Sequence, residues 1–586
     1  MKHRSIDPSR APRDCDSPPR KSPIIPCGRS TMTTKSTSVG IAAALAVMIG
    51  ISASAAAADR GAATEDDHVH PPAAGEKLGA VHFPVSCNPE AQAGFSRAVA
   101  ILHSFWYEEA VKAFTGVAEA DPGCAMAWWG VAMSHWYPLW YPPNPAALKA
   151  GAAAVAKAEA VGAKSERERG YVAAIAAFYR DSDKLDHRSR ALAYEHAMAN
   201  LHERYPDDRE AAIFYALALN ATALPTDKTL TNQKKAAAIL GPIFAEQPNH
   251  PGVAHYLIHS DDAPPLAKAG LEAARHYAEI APSVPHALHM PSHIFTRLGY
   301  WQESIDSNVR SAAAGQEYAK TAFGEGIAWD QSLHAMDYLA YGYLQLGQNR
   351  KAKAVLDDIS AFKKATPDSL PAAYALAAIP ARYAIERRNW AEAAKVELSP
   401  ATFAWDKFPW GTAMIAFARA LGDAHTGDLA TAKVEIGKLA AARDALKANN
   451  EYWSDQVEAQ RQAAAAILAQ AEGRQDEALR ELRAAADLED GMQKHPVTPG
   501  SIVPLRELLG DLLLEIGQPG AALAEYERSL KSAPNRFRTL YGAAKAANAA
   551  GDPAKAKQYF GELTRLAGNA DTPLPELAEA TAYLAR

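Results

Sequence analysis

"GQPGAALAEYERSLKSAPN", Gly517 to Asn535, decides how the rest of this sequence is read. A glycine opens it, a small residue, Ala522, follows five places on, and Pro534 lies twelve beyond that. The apolar positions between them have helical spacing. The same anatomy recurs. It appears in "FWYEEAVKAFTGVAEADP" from Phe105 to Pro122, and after Gly299, Gly347, Gly473 and Gly551. Each copy is a short amphipathic helix started after a turn and stopped by glycine or proline. Alanine dominates many stretches and β-branched runs are few, so no segment reads as a sheet and the expected class is all-α. At 586 residues the chain exceeds one ordinary core, which fits a repeat array.

Within that array two histidine groups keep register. In "HYLIH", His255 and His259 are four apart; in "HALHMPSHIF", so are His289 and His293, with His286 one turn earlier. The two pairs are offset by 34 residues. Counting back from the turn glycines, the places of His286, His289 and His293 before Gly299 fall on His334, Asp337 and Tyr341 before Gly347. Positions three and four apart share one helical face.

A helix pair repeated every 34 residues resembles the tetratricopeptide repeat. The resemblance implies antiparallel helix pairs stacked into a right-handed α-solenoid, with the first helices lining a concave groove. On this reading residues 1–58 are a disordered leader plus signal peptide, and 59–85 a flexible segment. Residues 86–247 are N-terminal repeats, 248–358 histidine-rich repeats, 359–492 divergent helical repeats, and 493–586 C-terminal repeats with a capping helix. "NATALPTDKTLTNQ", Asn220 to Gln233, reads as a long connection inside one pair, and "QKHPVTPGSIVP", Gln493 to Pro504, as a Pro-rich loop.

Imidazoles from neighbouring helices can meet at one ion, with metal–nitrogen bonds of about 2.0–2.1 Å. The expected site is one divalent ion held by His255, His259, His289 and His293, with His334 and Asp337 in direct contact or just behind. An all-histidine set suits zinc or copper. His286, Tyr341, Asp261 and Asp262 are expected to line the groove, the two aspartates adding carboxylates or capping the next helix. The bland alternative is a histidine ladder that contacts a peptide or only packs. Trp128, Trp129, Trp136 and Trp140 read as packing aromatics before ligand platforms, His103 and His135 as core or rim, and His495 as a residue able to fold across the groove.

"FPVSC", "LHSFWYEEAVKAF", "DPGCAMAWWGVAMS", "HYLIHS", "HMPSHIFTRLGYW" and "PNRFRTLYGAAKAA" together resemble a group of exported bacterial tetratricopeptide proteins of unassigned activity. The likeness spans most of residues 80–565. It implies the fold and the weight of the histidine helices, not a reaction.

Export is also read from the residues. Met32 opens a unit with Lys35, an apolar run from Val39 to Ile51 and small residues through Ala58, the form of a cleaved secretory signal. An uncleaved membrane anchor is the alternative. The expected location is periplasmic or secreted. Cys15 and Cys27 precede the signal, leaving Cys87 and Cys124; an even pair in an exported chain reads as a disulfide, with two free thiols as the alternative. The net charge of −6 argues against nucleic acid as a partner. H-E-x-x-H, G-x-S-x-G and phosphate-loop motifs are absent. The expected function is a binding protein holding a peptide, a protein or a metal-bound small molecule in its groove. The alternative is a metal-dependent hydrolase or oxidoreductase using the same histidines.

Overall fold

The turn glycines do what their spacing predicts. Gly299, Gly347, Gly473, Gly517 and Gly551 all take positive φ, between 67° and 79°. The residue after each glycine reaches back to close the preceding helix, as Tyr300 N to Phe295 O at 2.8 Å and Gln518 N to Leu513 O at 2.8 Å. This is the left-handed helix stop that glycine adopts without a Cβ penalty. The small residue five places on is the helix–helix contact: Ala352, Ala478, Ala522 and Ala556 are wholly buried and Ser304 is nearly so. Helix starts are capped as their sequences require, by Asn88, Asn144, Asp186, Asp208, Ser369 and Asp552.

A computed structural model describes residues 75–586; the leader, the signal segment, Cys15 and Cys27 lie outside the described residues. The chain is a tetratricopeptide-type α-solenoid of antiparallel helix pairs. It winds back on itself. Trp301 Nε1 donates to the Asn535 carbonyl at 2.7 Å, across 234 residues, or about seven 34-residue periods. Asp571 accepts from Arg350 N (2.9 Å) and Lys351 N (3.0 Å), closing the same seam one repeat on. Two large apolar clusters result. One gathers residues from Leu78 to Phe295, the other from Trp301 to Ala580. The histidine helices lie where these clusters meet.

Four features depart from the sequence reading. Residues 75–85 are anchored at Leu78 and Phe83: Phe83 is buried against Phe95, Trp129 and Tyr171, because an aromatic at this point fills the space between three stacked helices. One small parallel sheet exists, Ile327–Trp329 (β1) beside Lys364–Thr366 (β2). It is too short to carry a periodic signal. The helix expected to run unbroken through His286 and His293 is divided into Pro285–His289 and Pro291–Leu298, since Pro291 has no N–H to continue the ladder. Finally, the inner face at the histidines is not an open groove. The Pro-rich loop folds over it: Gln493 N donates to Pro225 O (2.9 Å), and Thr498 O accepts from Tyr338 (3.1 Å).

Cys87 and Cys124 sit at disulfide distance, with Cα atoms 4.8 Å apart. Among the described residues no helix is long and apolar enough to cross a membrane.

Candidate metal centre

Four segments carry six histidines into the seam. His255 and His259 come from the helix Pro251–Asp261, His286 and His289 from Pro285–His289, His293 from Pro291–Leu298, and His334 from Asp330–Gln345. All but the half-buried His259 are fully buried. The rings do not form the single four-histidine site expected from register. They fall into two triads, His255–His259–His286 and His289–His293–His334, each with its ligand atoms within 4.8 Å of one another. The reason is a diagonal offset between stacked helices. A residue on one helix meets the preceding helix one turn further along, so His286 joins His255 and His334 joins His289.

In the first triad His255 Nε2 lies 3.1 Å from His259 Nε2 and 3.2 Å from His286 Nε2. In the second, His289 and His293 bring their Nε2 atoms to 2.9 Å, and the His334 ring lies tilted against that of His289, 4.1 Å between centroids. A tetrahedral ion with bonds of about 2.0–2.1 Å spaces its ligands roughly 3.3–3.4 Å apart, close to these separations.

The outward nitrogens define the tautomers. Asn308 Nδ2 donates to Ser304 O (2.7 Å), turning its Oδ1 toward His289 Nδ1 at 2.6 Å. His289 Nδ1 therefore carries the proton. His293 Nδ1 donates to Asp262 Oδ2 (3.0 Å) and His255 Nδ1 to the His103 carbonyl (2.6 Å). With Nδ1 protonated, each Nε2 presents a lone pair inward, the arrangement of a ligating histidine held by a second layer. Burial, reinforced by the neighbouring rings, keeps extra protons away. His255 is pushed down to about 3, and His259, His286, His289 and His334 well below the usual 6.5. His293 is lowered by burial despite Asp262. Among the described residues, Nε2 of His334 and Nδ1 of His286 have no hydrogen-bond partner.

The carboxylates sort differently from expectation. Asp262 does not cap the next helix, which starts after Gly270; it holds His293, Arg297 (2.8 Å) and Lys494 (2.5 Å). Burial opposes its ionisation, but Lys494, Arg297 and the His293 hydrogen bond hold it well below the usual carboxylate range. Asp337, expected beside the ion, is bonded to the buried Arg382 guanidinium and is not in either triad. Tyr341 accepts from Arg536 at 2.6 Å; its place at the His293 face is taken by Tyr338, 5.0 Å between ring centroids. Asp261 belongs to neither triad, and burial raises its carboxyl to about 6. Trp140 packs edge-on against His286 and His334, one from each triad, at 5.2 and 5.1 Å, while Trp129 and Trp136 fill the core. His495 is half-buried and stacks on Trp453.

Sequence reasoning missed Lys494, Asn308, the part played by Asp262, and Phe105, whose ring packs against His255, His259 and His286. The two carboxylates after His259 were the available signal; Lys494 and Phe105 arrive from distant repeats, and Asn308 sits on the following helix in no recognisable motif.

A third cluster lies beside the first triad. Val253 N donates to His250 Nδ1 (3.3 Å), so His250 Nε2 donates to Glu210 (2.9 Å). His103 Nε2 donates to the other Glu210 oxygen (3.0 Å) and accepts from Tyr256 at Nδ1 (3.0 Å). Every ring nitrogen here has a partner of opposite role. Burial resists ionisation of Glu210, yet the two imidazoles bring its carboxyl down to about 2.

Two cavities border the centre. One of about 370 Å³ is lined by Arg297, Tyr374, Tyr452, Trp453, Lys494 and Gly500. A smaller one of about 90 Å³ touches His259, Asp262 and Lys494.

Fold and site together define a class: an all-α solenoid with a buried histidine centre on its inner face. No family model matches the chain, and no curated protein matches it. Among solved structures it is similar to yeast Tom70 (12 % identity, 84 % of this chain and 95 % of that one, TM-score 0.32). It is also similar to the human IFIT1 dimer with m7Gppp-AAAA (11 %, 76 % and 90 %, 0.35). A tetratricopeptide repeat protein from Parabacteroides merdae is similar at 13 %, with 65 % and 100 % covered and a TM-score of 0.23.

Proposed function

We propose that this is an exported protein whose inner face binds transition-metal ions through its histidine triads, with zinc or copper as the matching metals. One observation carries the reading. His289 and His293 turn two lone pairs toward each other at 2.9 Å, with both Nδ1 protons committed elsewhere. Two buried acceptors in contact repel unless a cation lies between them, and the lowered proton affinity of both rings argues against a proton in that place. Asp262 and Asn308 orient the ligands; Lys494 and Arg297 balance the carboxylate.

Metal analysis of the mature protein, purified without chelator, tests this. Bound zinc or copper whose amount His289→Ala lowers is the expected result. Protein that stays metal-free after incubation with both ions would overturn it. Export is part of the proposal, with a mature N-terminus near Ala58 that N-terminal sequencing of periplasmic or secreted protein reads directly.

The partner suited to the site is a small molecule. The loop over the histidines leaves cavities rather than a peptide-wide channel. The triads also favour a second reading, metal-dependent catalysis, because three histidines leave one position open where a fourth would close it. A bound ion with an open position supplies Lewis acidity or redox chemistry. In cobalt-substituted protein an open position gives visible bands that shift on adding azide. Unchanged bands would leave binding alone.

A further inference from the structure

The two triads are one arrangement used twice. In each, two histidines four apart in sequence, on one helix for the first triad and across the Pro291 break for the second, meet a single histidine from the next repeat. His255 and His259 meet His286; His289 and His293 meet His334. The pairs are one 34-residue repeat apart, and His286 and His334 hold the same place counted back from Gly299 and Gly347. The layer behind repeats as well. His255 is held at Nδ1 by a carbonyl and His289 by an amide oxygen, each at 2.6 Å. The triads share a wall: ring centroids are 5.9 Å apart for His286 and His289, and 5.8 Å for His259 and His293.

At the third step the pattern changes. The places of His289 and His293 hold Asp337 and Tyr341, and these face the guanidinium of Arg382, bonded to Asp337 and 4.7 Å from the Tyr341 ring. That step has a cation of its own. The first two steps have six inward imidazoles and no side-chain cation among them.

We propose that the protein holds two transition-metal ions side by side, one in each triad, with a small anion shared between them. The proposal rests on the metal-binding reading above and goes beyond it in number and arrangement. The anion follows from charge. Two divalent ions across one shared wall repel strongly in a buried seam, and six neutral imidazoles do nothing to offset it. The nearest carboxylate, Asp262, is already matched by Lys494 and Arg297. The 90 Å³ cavity leads a small ligand to His259; Asp262 and Lys494 both line it, and with Arg297 the three carry one net positive charge, a placement that favours anions over cations.

The experiment uses the mature protein stripped by chelator and titrated separately with Zn(II) and Cu(II), with bound metal counted per chain. Two ions per chain are expected. His259→Ala and His334→Ala should each keep one, and the double variant none. Loaded with Cu(II), the wild type should show a paramagnetic resonance signal weakened by coupling; each single variant should show the full signal of one isolated ion. One ion in the wild type, lost in either variant, means a single shared site: the pair falls and the metal reading stands. No ion in the wild type overturns both. The wild-type count decides without the variants, so a variant that fails to fold leaves the test intact.

Discussion

Two buried histidine clusters lie on adjacent helices, sharing the helix Pro251–Asp261 and the residue His103, and they are built on opposite logic. Around Glu210, each donor meets an acceptor: His250 and His103 give a proton to the carboxylate, and Tyr256 and the Val253 amide return one to each ring. A few ångströms away, His289 and His293 direct acceptor at acceptor, and Asn308 and Asp262, which orient them, sit on the outward side. Buried polar groups are normally satisfied. The first cluster obeys that rule within the protein and so reads as structure. The second leaves two inward acceptors facing each other, which is why it is proposed as a site. Counting nearby ligand types does not separate the two; the direction of each proton does.

Acid should separate them most strongly. Folded-state values for the triad histidines lie below the ordinary 6.5, down to about 3 for His255. The unfolded chain therefore binds protons that the folded chain refuses, and stability falls as pH drops below about 6.5. Each such histidine adds up to about 1.4 kcal/mol per pH unit. Glu210 acts lower: depressed from 4.5 to about 2, it contributes fully above pH 4.5 and loses that contribution toward pH 2. Urea unfolding of chelated protein should show a steep loss from pH 6.5 to 5. A flat profile over that window would break the comparison.

Next in size, Glu210→Ala should cost roughly 3–5 kcal/mol by leaving two buried donors without partners, while bound metal stays unchanged. Loss of metal in that variant would join the two clusters into one functional unit. In the triads the balance reverses: His289→Ala should abolish metal at its triad, with a smaller effect on metal-free stability.

Asp262 and Asp337 sharpen the contrast further. Asp262→Asn weakens the hold on His293 and should reduce metal affinity about 10–100-fold. Asp337→Asn should leave affinity unchanged and lower stability instead, because it strips the buried Arg382 of its counter-charge. Competition titration against a chromophoric chelator measures the first, and thermal unfolding the second. The smallest effect is expected at His276, an exposed ring bonded only to the Glu272 carbonyl. His276→Ala should change neither metal content nor stability measurably, and a change in metal content would mean that ions bind outside the seam.

Much of this was legible in the residues. The glycine, the small residue five places on and the proline specify helix, contact and stop locally, so the repeat and its 34-residue step follow from short-range physics. The four-residue spacing of His255 with His259, and of His289 with His293, puts each pair on one face in any helix. The sequence by itself thus determined the helical class, the repeat and which histidines travel together. The tertiary structure alone decided that they divide into triads, because the diagonal offset between stacked helices is a packing outcome. It alone assigned Asp262 to His293 and Asp337 to Arg382, two aspartates that look alike in sequence. It alone brought Lys494 onto Asp262 across 232 residues, because the superhelix returns on itself only after several repeats, and contacts made by that closure leave no periodic trace in the chain.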